Sequence, residues 1–153
     1  MKNTILIGVV LLAAAGSAFH PFGAPKAQDS ALPLVEGAAL TPDTQRILDR
    51  ACVNCHSERT RWPWYGYVAP ASWLLERDVA KARQHMNLSR WNAYPVARRR
   101  ELLAQMGVMT RGHLMPPPRY LLLHKEAKLS AAEIDVLYQW ERAERVRLHG
   151  PVR

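Results

Sequence analysis

The sequence is short of cysteine, of acidic residues and of any long apolar run, and each shortage removes a class of explanation. Its two cysteines, Cys52 and Cys55, cannot by themselves complete the four-ligand set of a structural zinc site. His20, His85, His113, His124 and His149 show no paired zinc spacing that would supply the rest. No strand pattern precedes Cys52, whereas a thioredoxin-like dithiol sits in a βαβ setting. The apolar run at residues 5–15 is shorter than the roughly 20 residues of a spanning helix. There is no internal repeat and no low-complexity tract, and 153 residues suit one compact domain plus a leader. Asp and Glu number 13 against 21 Lys and Arg, a net charge of +8. That balance favours acidic partner proteins or anionic lipid. No nucleic-acid motif accompanies it, so a nucleic-acid partner is not expected.

What is present centres on Cys52-Val53-Asn54-Cys55-His56. Two thiols three residues apart, followed at once by an imidazole, form the attachment sequence for c-type haem. On a helical turn, residues three and four apart share a face, so all three side chains can address one macrocycle. Cys52 and Cys55 are then the thioether links and His56 the proximal iron ligand. The expected cofactor is one covalent haem c. Residues 1–18 read as an export signal or N-terminal anchor, with Lys2, an apolar stretch and the small residues Gly16-Ser17-Ala18. This places the domain in the periplasm or otherwise outside the cytoplasm, in an oxidising compartment where such attachment occurs. Membrane association through the N-terminal segment stays open. Residues 19–40, with Pro21, Gly23, Pro25, Pro33 and Gly37, read as a linker or extended wrapping segment, and His20 as a linker residue.

The domain proper is expected over residues 41–149. Thr41-Pro42-Asp43 is a helix start, and Thr44, Ile47, Leu48 and Ala51 form an apolar face that runs into Cys52. Residues 57–70 form an irregular aromatic loop, with Trp62, Trp64 and Tyr65 as candidates for the haem pocket. Trp73 and Tyr120 join them, since Trp and Tyr combine a large apolar body with a donor suited to propionates. A second helix is expected over residues 71–86, and a third from Pro95 to near Gly107. Arg98-Arg99-Arg100 near the start of the third reads as a solvated face, with an acidic counter-charge as the alternative. Ser130-Ala131-Ala132-Glu133 is a capping box that opens a last helix. Ile134, Leu137, Tyr138 and Trp140 are expected inward, and Glu141 to Arg147 alternate in sign as a solvated end.

The second chemical element is residues 108–120, where Pro116-Pro117-Pro118 favour a stiff, extended segment. Such a segment can hold a thioether in place, and Met115, just before the prolines, is the candidate distal ligand. Met109 and His113 in the same stretch are its rivals, and an open sixth position is the further option.

The chain resembles the haem-binding domain family of bacterial exported c-type cytochromes. The resemblance rests on Cys52-x-x-Cys55-His56-Ser57, Trp62-Pro63-Trp64-Tyr65, Ala69-Pro70-x-Ser72-Trp73 and Asp78-Val79. It continues with Arg83, Asn87-Leu88-Ser89-x-Trp91, Met115-Pro116, Tyr120, His124, Ala127, Leu129-Ser130 and Trp140. The chain departs from the family at Ala82, where a glycine is usual before the arginine, and in its run of three prolines. The resemblance implies an all-α, cytochrome c-like domain of about four helices around one covalent haem, with His56 and Met115 as axial ligands. The function expected is electron transfer with a redox partner that presents an acidic docking face, a carrier rather than a catalyst. Three rivals stand beside it. One is a small-ligand sensor, and one a peroxidase-type protein drawing on Arg111 and His113 at an open iron. The last is a haem-bearing subunit of a larger membrane complex.

Overall fold

The computed structural model describes residues 2–25 and 33–150, and every regular element among them is helical. Helix α1 (Lys2–Ser17) buries none of its side chains, and no helix among the described residues is long and apolar enough to cross a membrane. Its last turn nevertheless rests on the domain. Ser17 Oγ accepts the Ala69 amide at 3.0 Å, and a Cβ on Gly16 would stand 3.1 Å from Ala69 and Trp73.

Helix α2 (Pro42–Ala51) starts as its sequence dictates: Thr41 Oγ1 accepts the Thr44 amide at 3.1 Å, Pro42 occupies the first turn and Asp43 meets the positive helix end. Thr44, Ile47 and Leu48 are buried. After Cys52 the chain makes one further turn, α3 (Val53–His56), and then an irregular loop containing a 3₁₀ turn at Trp64–Tyr67. Helix α4 (Ala71–His85) ends one residue short of expectation because Met86 is extended. A 3₁₀ segment, Leu88–Ala93, follows, capped by the Asn87 side chain on the Ser89 amide at 3.1 Å.

Helix α5 (Val96–Arg111) runs a full turn past Gly107, where its sequence suggested an end. Gly107 is a contact residue and does not end the helix: a Cβ there would lie 2.8 Å from Glu141 Oε1. The expected stiff segment over 108–120 is therefore divided. Its first part belongs to α5, and Pro118 opens a short helix, α6 (Pro118–Leu121). A 3₁₀ turn at Lys125–Ala127 leads to α7 (Ala131–Arg147), which begins with the full Ser130–Glu133 capping box.

Helices α5 and α7 pack against each other, α2 crosses α7, and α4 lies on α3. Leu48, Leu88, Trp91, Leu102, Leu103 and Leu137 are almost wholly excluded from solvent at the centre, each leucine worth about 1.5–3 kcal/mol of burial.

Of the two readings of residues 19–40, linker or wrapping segment, residues 33–40 take the second, with Leu34 and Val35 buried in the core. The Val35 amide donates to the Leu88 carbonyl at 2.8 Å, and Trp140 Nε1 donates to the Ala39 carbonyl at 3.0 Å. Residues 26–32 of that stretch lie outside the described residues. The end of α7 is not a solvated face throughout, because Glu141 and Glu144 are buried. Glu144 takes the Ala39 amide and Arg147, while Glu141 fills the space left by Gly107 and pairs with Arg145 at 2.8 Å.

Candidate functional site

A cavity of about 390 Å³ opens between α3, α4, α5 and the loop before α6, within the range of roughly 300–1,000 Å³ typical of small-molecule sites. Its inner surface is mostly apolar, with Leu75 and Ala82 from α4, Leu102 and Met106 from α5, and Leu129. Cys52, Cys55 and His56 line one side, and Met109, Met115 and Tyr120 also border it. Lys81, His85 and Arg119 contribute to the lining and are solvent-exposed.

The motif turn is built by its backbone. The Cys52 carbonyl accepts the amides of both Cys55 and His56, at 3.2 and 3.0 Å, which draws the three side chains to one side. His56 Nδ1 lies 3.0 Å from the Met86 carbonyl oxygen. A carbonyl only accepts, so Nδ1 carries the proton and Nε2 keeps a free lone pair. Burial lowers the His56 pKa, partly opposed by the bond to Met86. Burial thus favours the neutral ring, the state in which imidazole binds a metal.

The two thiols are not activated. Burial pushes Cys52 up to about 12 and Cys55 up to about 11, with the neighbouring thiol and Asp78 adding to the respective shifts. Reactive dithiols and thiolate metal ligands need the opposite shift. No group of three or more His, Cys, Asp or Glu among the described residues is placed to hold a metal ion by itself. The arrangement suits a flat, apolar group carrying its own metal, seated against His56 with the cysteines at its edge.

Of the three distal candidates, Met115 and Met109 border the cavity and His113 is exposed outside its lining. Met109 belongs to α5, and its carbonyl accepts the amides of Leu114 and Met115 at 2.9 and 3.2 Å. One candidate therefore positions the other.

A family model for a haem-binding domain matches residues 13–143. The chain belongs to that family. No curated protein and no solved structure matches it. The all-helical architecture and a haem cofactor accord with membership. The cavity fits such a group by its donor set: an oriented neutral imidazole, two un-ionised thiols, thioethers, an apolar wall and exposed cations.

Within this haem-binding domain the five aromatic candidates separate. Tyr120 alone lines the cavity. Tyr65 stands one layer out, its hydroxyl 2.5 Å from His124 Nε2. Trp62 packs beside Gly66, and Trp64 is 80% exposed. Trp73 turns away to α1, where its Nε1 donates to the Phe19 carbonyl at 2.7 Å and its ring meets Phe19 edge-on. Aromatic content marked the loop but could not tell which rings face inward, because its irregular backbone carries no periodicity.

Residues outside the candidate set fix the motif. Arg83 Nε donates to the Ser57 carbonyl at 2.8 Å, and Arg83 also reaches Thr60 and Glu58. Asn87 Nδ2 donates to Glu58 at 2.8 Å, and the Glu58 amide donates to Ser89 Oγ at 3.1 Å. Burial opposes the charge of Glu58, but Asn87, Arg83 and Arg90 outweigh it and hold the carboxyl below its usual range. Ser57, Arg83, Asn87 and Ser89 stood in the family motif without a role, whereas Glu58 and Thr60 carried no signal there. Arg98, by contrast, pairs with Glu101 of its own helix at 2.8 Å, and Arg98-Arg99-Arg100 stays outside the cavity lining.

Proposed function

We propose that the chain is an exported mono-haem c-type cytochrome that transfers electrons, with His56 as proximal and Met115 as distal ligand of one covalently held haem. The observation that carries this reading is the His56–Met86 bond, which occupies Nδ1 and leaves Nε2 as the ligating nitrogen of a residue that lines one cavity with both cysteines and Met115. Haem iron supplies a one-electron ferric–ferrous couple, and a methionine opposite histidine favours the reduced state. The chain's own residues do the rest. Cys52 and Cys55 anchor the edge, and the apolar wall of Leu75, Leu102 and Met106 keeps water out. Lys81, His85 and Arg119, exposed at the cavity, would be available to haem propionates, and the net charge of +8 would steer an acidic redox partner.

Packing of Gly16 and Ser17 against Ala69 and Trp73 supports an N-terminal segment that stays with the exported domain as an anchor. The peroxidase-type alternative draws no support from geometry. His113 is exposed outside the cavity lining, and the Arg111 guanidinium sits 4.4 Å over the Tyr138 ring.

Expression in an export strain competent in haem attachment tests the reading. Haem should stay with the polypeptide after denaturation, be lost from Cys52→Ala/Cys55→Ala protein, and titrate reversibly as a one-electron couple. Haem released by denaturation would overturn covalent attachment, and an irreversible titration would overturn the carrier role.

A further inference from the structure

Tyr65, His124 and Glu126 form a continuous hydrogen-bonded chain beside the motif turn. His124 Nε2 lies 2.5 Å from the Tyr65 hydroxyl, and its Nδ1 lies 3.0 Å from Glu126 Oε1. The Glu126 carboxyl is held below its usual range by its own backbone amide and by His124. As a carboxylate it only accepts, so Nδ1 carries a proton and Nε2 of the neutral ring accepts from Tyr65. The imidazole is stacked on Tyr120, centroids 4.2 Å apart and planes at 15°, and Tyr120 itself borders the main cavity. A second cavity of about 10 Å³, room for about one water, is bordered by His124 and Cys55 together. The only other histidine–carboxylate bond among the described residues is His20–Glu76, and neither partner borders the main cavity.

We infer that the Tyr65–His124–Glu126 chain couples a proton to each electron that the protein carries. When one electron enters at the haem, one proton enters from solvent: the Tyr65 O–H proton passes to His124 Nε2, and the phenol oxygen takes a replacement from water. Oxidation reverses both movements, and no carbon bond changes. Tyr65 is partly exposed and supplies the route to water, while Glu126 stabilises the imidazolium. The other charged or titratable groups around His124 do not duplicate the role. Tyr120 accepts from Asn54 Nδ2 at 3.2 Å, Arg61 is exposed beside the small cavity, Arg119 pairs with Asp78 at 2.9 Å, and Arg50 donates to the Glu126 backbone carbonyl. Cys55, once a thioether, has no proton to exchange. The inference rests on the electron-transfer reading above.

Potentiometric titration of the haem-loaded full chain from about pH 5 to about pH 8, where imidazole titrates, tests it. One proton per electron makes the midpoint potential fall by up to about 59 mV for each tenfold drop in proton activity. His124→Gln keeps hydrogen-bonding capacity without an imidazole to receive the Tyr65 proton and should flatten that dependence. Tyr65→Phe should displace it along the pH axis. A flat profile in the parent protein, or a slope that His124→Gln leaves intact, overturns the coupling while the carrier role stands. Absence of bound haem overturns both.

Discussion

His56 and Met86 are joined by a hydrogen bond of 3.0 Å from the imidazole Nδ1–H to a backbone carbonyl. Through it the motif turn α3 is tied to the end of α4. Met86 can offer that carbonyl because the helix stops there and the backbone becomes extended. The ring orientation thus depends on where α4 ends, and the end is fixed by Asn87, whose amide donates to Tyr94 Oη at 2.9 Å and whose side chain holds Glu58 and caps Ser89.

Asn87→Ala should therefore lower stability by about 1–3 kcal/mol, the scale for leaving buried polar partners unpaired. It should also reduce the fraction of chains that acquire haem. Urea unfolding gives the first number and the haem-to-protein absorbance ratio the second. Unchanged values for both would remove Asn87 from the support of His56.

Gly107→Ala should destabilise by up to about 2 kcal/mol, the cost of about 1–3 kcal/mol for extra volume in a packed contact less the roughly 0.5–1 kcal/mol that Ala gains over Gly inside a helix. The added Cβ would meet Glu141 Oε1 at 2.8 Å on the facing helix. Glu141→Ala in the same chain should relieve most of the overlap, so the double variant should lose less than the two single losses combined. Strict additivity in thermal unfolding would mean that the α5–α7 approach is looser than described.

Glu144 gives a pH-dependent contribution. Burial opposes its charge, but Arg147 and the Ala39 amide prevail and hold the folded carboxyl below its usual range. Its stabilisation is complete above the unfolded value of about 4.3 and is lost as pH falls through the lower folded value. Glu144→Gln should cost about 1–3 kcal/mol near neutral pH, reduced because Arg147 is nearly half exposed and solvent replaces part of the pairing. The gap between parent and variant should close in acid. A gap that stays constant with pH would assign the loss to packing alone.

Much of the fold was legible because its signals are local. The Thr41 cap, the apolar face of α2 and the Ser130–Glu133 box each need only a few neighbouring residues, and each appears where the sequence places it. The motif likewise announces Cys52, Cys55 and His56 by spacing alone. What could not be read depends on contacts between distant segments. Gly107 resembles a helix stop until Glu141 is known to face it, and Glu141 and Glu144 resemble solvated charges until α5 and Ala39 cover them. Leu34 and Val35 sit in a proline-punctuated stretch whose burial comes from pairing with Leu88, some fifty residues on. Trp64 and Trp73 look like pocket residues by type, yet one is open to solvent and the other meets α1.

The measurement that tests the central claim most directly is the optical spectrum of the haem-loaded protein, oxidised and reduced, with and without carbon monoxide. Met115→Ala and Met109→Ala are recorded beside it. The account predicts a haem c spectrum with a sulfur-to-iron band in the oxidised form and no response to carbon monoxide. Met115→Ala should abolish the band and admit carbon monoxide, while Met109→Ala should retain the band. A high-spin or carbon monoxide-responsive parent spectrum would contradict Met115 ligation and favour small-ligand binding. Loss of the band in Met109→Ala alone would move the distal ligand to α5.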